Sequence, residues 1–90
     1  MKITATATMK GENEITVRIS AAFQGAENNS GSTQAATRDS FKASFADALA
    51  VGFAWNAANM AYEATCEATP EACAPFVAYA EKKNLEIIQL

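Results

Sequence analysis

An α+β fold in the order β-β-α-α-β is predicted for this 90-residue sequence: a three-stranded, mainly antiparallel sheet covered on one face by a long and a shorter helix. Three observations predict it. Two stretches near the start alternate apolar and polar residues with the period of two of a half-buried strand. A long segment from about Thr37 to Glu67 carries alanine and aromatic residues at helical spacing. A Thr-Pro-Glu start and a Lys-Lys-Asn stop then bound a second helix, ahead of a closing apolar segment. The whole reads as one domain over residues 1–90.

The first strand is "KITATATM", residues 2 to 9, which sets Ile3, Ala5, Ala7 and Met9 against Lys2, Thr4, Thr6 and Thr8. "KGENE" turns the chain, and "EITVRISAAF" resumes the alternation with Ile15, Val17, Ile19, Ala21 and Phe23 on one side. Together they predict a β-hairpin. Its other face carries Thr4, Thr6, Thr8, Thr16, Arg18 and Ser20, and is expected to be wet or to form an interface. Residues 24 to 33, "QGAENNSGST", concentrate Gly, Asn and Ser without an apolar anchor and read as a mobile loop.

A helix is expected to begin between Thr37 and Ser40, with Thr37 or Asp39 as cap, and to run to about Glu67. At 100° per residue, with Phe41 at zero, Phe41, Phe45, Leu49 and Phe53 fall between about 0° and 120°. In the second half, Val51, Trp55, Tyr62 and Cys66 lie at about 280° to 340°, so the apolar face moves by about one residue's rotation. Either a one-residue adjustment near Gly52 restores a continuous face, or the helix is regular and uses two faces. The second account is favoured on length, because such a helix, about 43 Å long, overhangs a strand of about 26 Å. Trp55 and Tyr62 are then expected to lie on the overhang and to serve self-association.

Beyond it, Thr69 caps a start with Pro70 at the first helical position and Glu71 beside it. Because proline clashes inside a helix, Pro75 predicts a short turn over 70–74 and the main helix over 75–83. Lys82 and Lys83 suit its C-terminal end, Asn84 suits a left-handed cap, and "LEIIQL" is expected to return as the last strand.

Composition bounds the function. Half the residues are apolar, 19% are charged, and the net charge is −3. The basic residues Lys2, Lys10, Arg18, Arg38, Lys42, Lys82 and Lys83 are dispersed, whereas nucleic acid and anionic membranes call for clustered ones. Between Ala43 and Glu81 there is no basic residue, while Asp47, Glu63, Glu67, Glu71 and Glu81 fall inside. No apolar run is long enough for a membrane span, and "MKITATATMK" lacks the apolar core of a secretory signal. The expectation is a cytoplasmic protein that binds neither nucleic acid nor membrane.

The chain has no histidine, which removes the usual general base and the commonest metal ligand. Gly11, Gly25, Gly31 and Gly52 are isolated, so there is no phosphate-binding loop or dinucleotide fingerprint. Cys66 and Cys73, spaced C-x6-C, cannot build a tetrahedral zinc site in one chain and are expected to be reduced, partly buried thiols. No enzyme, metal or cofactor is predicted. By elimination the function is binding. On the expected helix, Asn56, Asn59, Glu63 and Glu67 form a polar stripe that Glu71 extends, and these are the candidate partner-binding residues.

The leading expectation is a small acidic protein that inhibits a larger partner by occupying its basic surface, where nucleic acid would otherwise sit. In size, acidity and lack of catalytic groups the chain resembles many phage-encoded inhibitors of host defence, anti-CRISPR proteins among them. The resemblance is one of general build and involves no family motif. The alternative is a homodimeric structural or regulatory module using the overhanging helix or a sheet edge. A small-molecule carrier would need more large apolar residues than this chain has.

Overall fold

The computed structural model describes the backbone of residues 2–22 and 31–90, and the side chains of residues 2–21 and 38–90. The fold is α+β. Strands β1 (Lys2–Lys10), β2 (Glu14–Ala22), β3 (Ala54–Asn56), β4 (Ala61–Glu67) and β5 (Ile87–Gln89) form one five-stranded mixed sheet in the order β3-β4-β2-β1-β5. Helices α1 (Gly31–Ser44), α2 (Ala48–Val51) and α3 (Pro70–Lys82) complete it. The β1–β2, β2–β4 and β3–β4 pairs are antiparallel, and β1–β5 is parallel. Strands β4 and β5 therefore run the same way at opposite sides of β2 and β1, and α3 carries the connection across.

The first hairpin is the one the alternation predicts: Ala5, Ala7, Ile15, Val17, Ile19 and Ala21 are buried, and β1 pairs with β2 in register from Lys2–Ala22 to Lys10–Glu14. Of the expected loop over 24–33, residues 24–30 lie outside the described residues, as does Phe23, and residues 31–33 begin α1.

The long helix over 37–67 does not form. Helix α1 ends at Ser44, a tight turn follows, α2 lasts one turn, and the chain then pairs as β3 and β4. Three local features account for this. Gly52 ends α2 at φ 120°, a conformation that side-chain-bearing residues rarely adopt. Asn56 caps a 3-10 turn over Ala57–Asn59, its Oδ1 accepting from the backbone N–H groups of Ala58 (3.0 Å) and Asn59 (3.3 Å). Met60 then turns the chain through the left-handed region at φ 48°. From there "YEATCE" alternates Tyr62, Ala64 and Cys66 against Glu63, Thr65 and Glu67, a period of two. Neither an adjusted continuous face near Gly52 nor an overhanging second face exists. Leu49, expected on the buried face, is 55% exposed, because the break at residues 45–47 resets the helical phase and seats Ala48 against the core instead.

Helix α3 starts where the Thr-Pro-Glu signal places it, with Thr69 Oγ1 accepting from the Ala72 N–H at 3.2 Å. It runs unbroken through Pro75, contrary to the expected division at residues 74 and 75. Proline costs one hydrogen bond to the Glu71 carbonyl, and Phe76, Tyr79 and Ala80 pack against the core from one face of the helix. Asn84, at φ 60°, is the left-handed stop expected.

The core joins the helices to one sheet face. Phe41 and Phe45 from α1, Ala48 from α2, Phe53, and Tyr79 and Ala80 from α3 pack with Ala5, Val17, Ile19, Ala21, Tyr62 and Ala64. Aromatic rings fill it: Phe41 lies 5.0 Å from Phe45 and 5.9 Å from Tyr62, and Phe53 lies 5.0 Å from Phe76. The turn before α2 is tied to α3 by Asp47, which accepts a 2.6 Å hydrogen bond from the Tyr79 hydroxyl and sits 3.4 Å from Lys82 and 3.3 Å from Lys83. The Tyr79 hydrogen bond, helped by the two lysines against a smaller opposing effect of burial, holds the Asp47 carboxyl down to about 2. Among the described residues no helix is long and apolar enough to cross a membrane.

Candidate functional site

Because α1, α2 and α3 all pack on one side of the sheet, its other side has no helix on it among the described residues. The strand register arranges that side in rows. One runs Ala54, Glu63, Arg18, Thr6, Ile88 from β3 to β5, and its neighbour runs Asn56, Ala61, Ser20, Thr4. A third runs Thr65, Thr16, Thr8, and the last Glu67, Glu14, Lys10. Thr16 and Thr65 share a hydroxyl–hydroxyl hydrogen bond of 2.9 Å. Five threonines on this face make it polar and limit its side-chain freedom, since β-branched side chains have few rotamers to lose.

Away from the Glu67, Glu14, Lys10 row, charge on this face centres on Glu63 and Arg18. The Glu63 carboxylate receives the Arg18 guanidinium from the neighbouring strand, the Asn56 side-chain amide at 3.0 Å and the Asn59 amide at 3.0 Å. Burial by itself would push the Glu63 carboxyl up, but the donors from Asn56, Asn59 and Arg18 outweigh it and hold the group below its ordinary value. Asn56 is central to this network. Its oxygen caps the 3-10 turn that presents Asn59, and its nitrogen donates to Glu63. The arrangement anchors an ionised carboxylate flat against the sheet.

A second acidic region lies at the end of the sheet where β1 turns into β2. Glu14 and Glu67 are register partners, Glu12 lies in the adjoining turn, and Glu71 lies in the first turn of α3, two residues of connection away from β4. The Ala68 N–H donates to the Asn13 carbonyl at 2.9 Å, which holds the turn and the β4–α3 connection together. Among the described residues none of Glu12, Glu14, Glu67 and Glu71 is in an ion pair.

Comparison with known proteins finds no relative. No family model matches the chain, and neither does any curated protein or solved structure.

The predicted partner-binding residues are thus divided between two places. Asn56, Asn59 and Glu63 meet in one network, although not on a helix face, while Glu67 and Glu71 belong to the acidic end. Trp55 and Tyr62, expected to serve self-association, face each other across β3 and β4 with ring centroids 4.9 Å apart. Tyr62 is 1% exposed, and its hydroxyl donates to the Lys42 carbonyl at 2.6 Å. Trp55 is half-buried beneath the Lys42 ammonium, 5.3 Å from its ring.

Sequence reasoning placed Arg18 on the uncovered face but missed its pairing with Glu63, and it missed Glu12 and Glu14 as companions of Glu67. The available signal was the alternation of Tyr62, Ala64 and Cys66, which makes residues 61–67 a strand able to lie beside β2. Among the described residues no group of three or more His, Cys, Asp or Glu could hold a metal ion. Cys66 and Cys73 are free thiols of intermediate burial.

Proposed function

We propose that this chain is a small acidic protein-binding module that inhibits a larger partner by occupying its basic surface, with no catalytic step of its own. The observation that carries the reading is the uncovered sheet face, rigid and polar, running into an end with four carboxylates outside any described ion pair. A strand face of this kind, already ordered, offers contact area at a reduced ordering cost. Unpaired carboxylates at its end steer it toward lysine and arginine and away from acidic surfaces. The partner surface is one that nucleic acid would otherwise contact, as for the phage-encoded anti-defence proteins this chain resembles in build, and the setting is the cytoplasm. Neither nucleic acid nor membrane is a direct ligand of the module.

The test is capture of partners from a lysate of the native host with the wild-type chain and with a Glu67→Lys, Glu71→Lys variant. A protein retained by the first and lost by a well-folded second supports the reading. Retention by both removes the acidic end from it. Glu63 is unsuited to the same test, because a lysine there would face Arg18 and disturb the sheet.

A second reading, a homodimeric structural or regulatory module, is favoured by Ile88, 51% exposed on the edge strand β5. Sedimentation at micromolar concentration tests it, a monomer throughout counting against it.

A further inference from the structure

The two cysteines come from different elements, Cys66 from β4 and Cys73 from the second turn of α3, and their sulfurs are 3.5 Å apart. A disulfide needs about 2.05 Å, so an approach of about 1.5 Å closes the bond. The two sulfurs differ in access. Cys73 lines a groove of about 260 Å³ between α3 and the sheet, with Ala7, Ile15, Val17, Val77 and Ile87, whereas Cys66 does not line it. Cys73 also donates to the Glu67 carbonyl at 3.5 Å, which turns its sulfur toward β4. Burial first, and then the neighbouring Cys73 and Glu14, push the Cys66 thiol up to about 11.

We propose that Cys66 and Cys73 form a thiol–disulfide exchange site that reacts with low-molecular-weight disulfides entering by the α3–sheet groove. In the first step the Cys73 thiolate attacks one sulfur of the disulfide R–S–S–R. That bond breaks, R–S⁻ leaves and takes a proton, and Cys73 carries a mixed disulfide. In the second step the Cys66 thiolate attacks Cys73 Sγ, the mixed disulfide breaks, and the second R–S⁻ leaves and is protonated. Two protein thiols are oxidised by two electrons, and one small disulfide is reduced to two thiols. The product fastens the first turns of α3 to β4. In a reducing compartment the site rests as the dithiol, and a rise in disulfide concentration closes it.

The experiment treats the reduced chain, folded and without denaturant, with 2-hydroxyethyl disulfide, and follows intact mass and tryptic maps. The expected product is a monomer lighter by the mass of two hydrogens, with a Cys66–Cys73 linked peptide, restored by dithiothreitol. Cys66→Ser, shown to be folded by circular dichroism, should stop at one mixed disulfide on Cys73. Cys73→Ser should acquire its adduct on Cys66 more slowly. Closure only in denaturant, stable adducts on both cysteines of the wild type, disulfide-linked dimers as the main product, or equal rates for the two single variants would each overturn the proposal.

Discussion

Tyr62→Phe separates the strand placement of this residue from a position on a free helix face. The ring is buried against Phe41 and Trp55, and only the hydroxyl, donating to the Lys42 carbonyl at 2.6 Å, is lost. One intramolecular hydrogen bond contributes about 0.5–1.5 kcal/mol net. The hydrogen bond is part-buried, so the expected loss is about 1 kcal/mol. For a domain of this size that lowers Tm by about 4–8 °C. Tyr62→Ala removes the ring as well and should cost about 3–5 kcal/mol. Whole domains of this length are stable by only about 5–13 kcal/mol. Urea unfolding followed by circular dichroism at two protein concentrations measures both. An unchanged midpoint for Tyr62→Phe would refute the hydrogen bond to α1. A Tyr62→Ala variant of wild-type stability but altered oligomeric state would refute the burial itself and return Tyr62 to an interface.

Three further outcomes are expected. The Asp47 carboxyl is held at about 2 against an ordinary 3.8, so ionised Asp47 favours the folded state. Its contribution is complete above pH 3.8 and is lost as pH falls toward 2; Glu63 acts in the same direction. Acid titration of stability in Asp47→Asn should be flatter across that window, and identical acid limbs would contradict the assignment. Gly52→Ala should destabilise by about 1 kcal/mol or more, because φ is 120°, where a side-chain-bearing residue is strained; thermal melts decide it. Pro75→Ala should stabilise by up to about 3 kcal/mol, since α3 is continuous through an exposed position 75. Lower stability would mean that the proline shapes α3 usefully.

Elements whose signals are local were legible in the sequence. The alternation of Ile3, Ala5 and Ala7 and of Ile15, Val17 and Ile19 identifies β1 and β2, and Thr69-Pro70 and Asn84 mark the ends of α3. The segment 45–67 was not, for a physical reason. Alanine favours a helix by propensity and is only tolerated at a buried strand position, and the inward side of β4 carries one large residue, Tyr62, which falls in phase with Trp55 on a helix too. The signals against a helix are single residues: Gly52, Asn56 as a cap, and Met60 in the left-handed region. Strand β3 is three residues long and exists through its pairing with β4, and β5 through its parallel pairing with β1. Non-local pairings of this kind leave little trace in a short window.

The candidate site follows the same division. Asn56, Asn59 and Glu63, expected along a helix face, are brought together instead by a tight return of the chain. Arg18 completes the group through a strand pairing that a helix over 37–67 rules out.

The central claim, protein binding through the uncovered sheet face and its acidic end, is tested most directly by the salt dependence of affinity for the captured partner, wild type beside Glu67→Lys, Glu71→Lys. Wild-type affinity should fall as ionic strength rises, and the reversed variant, equally stable, should bind more weakly at every salt concentration. Affinity that is independent of salt and unchanged by the reversal would contradict it.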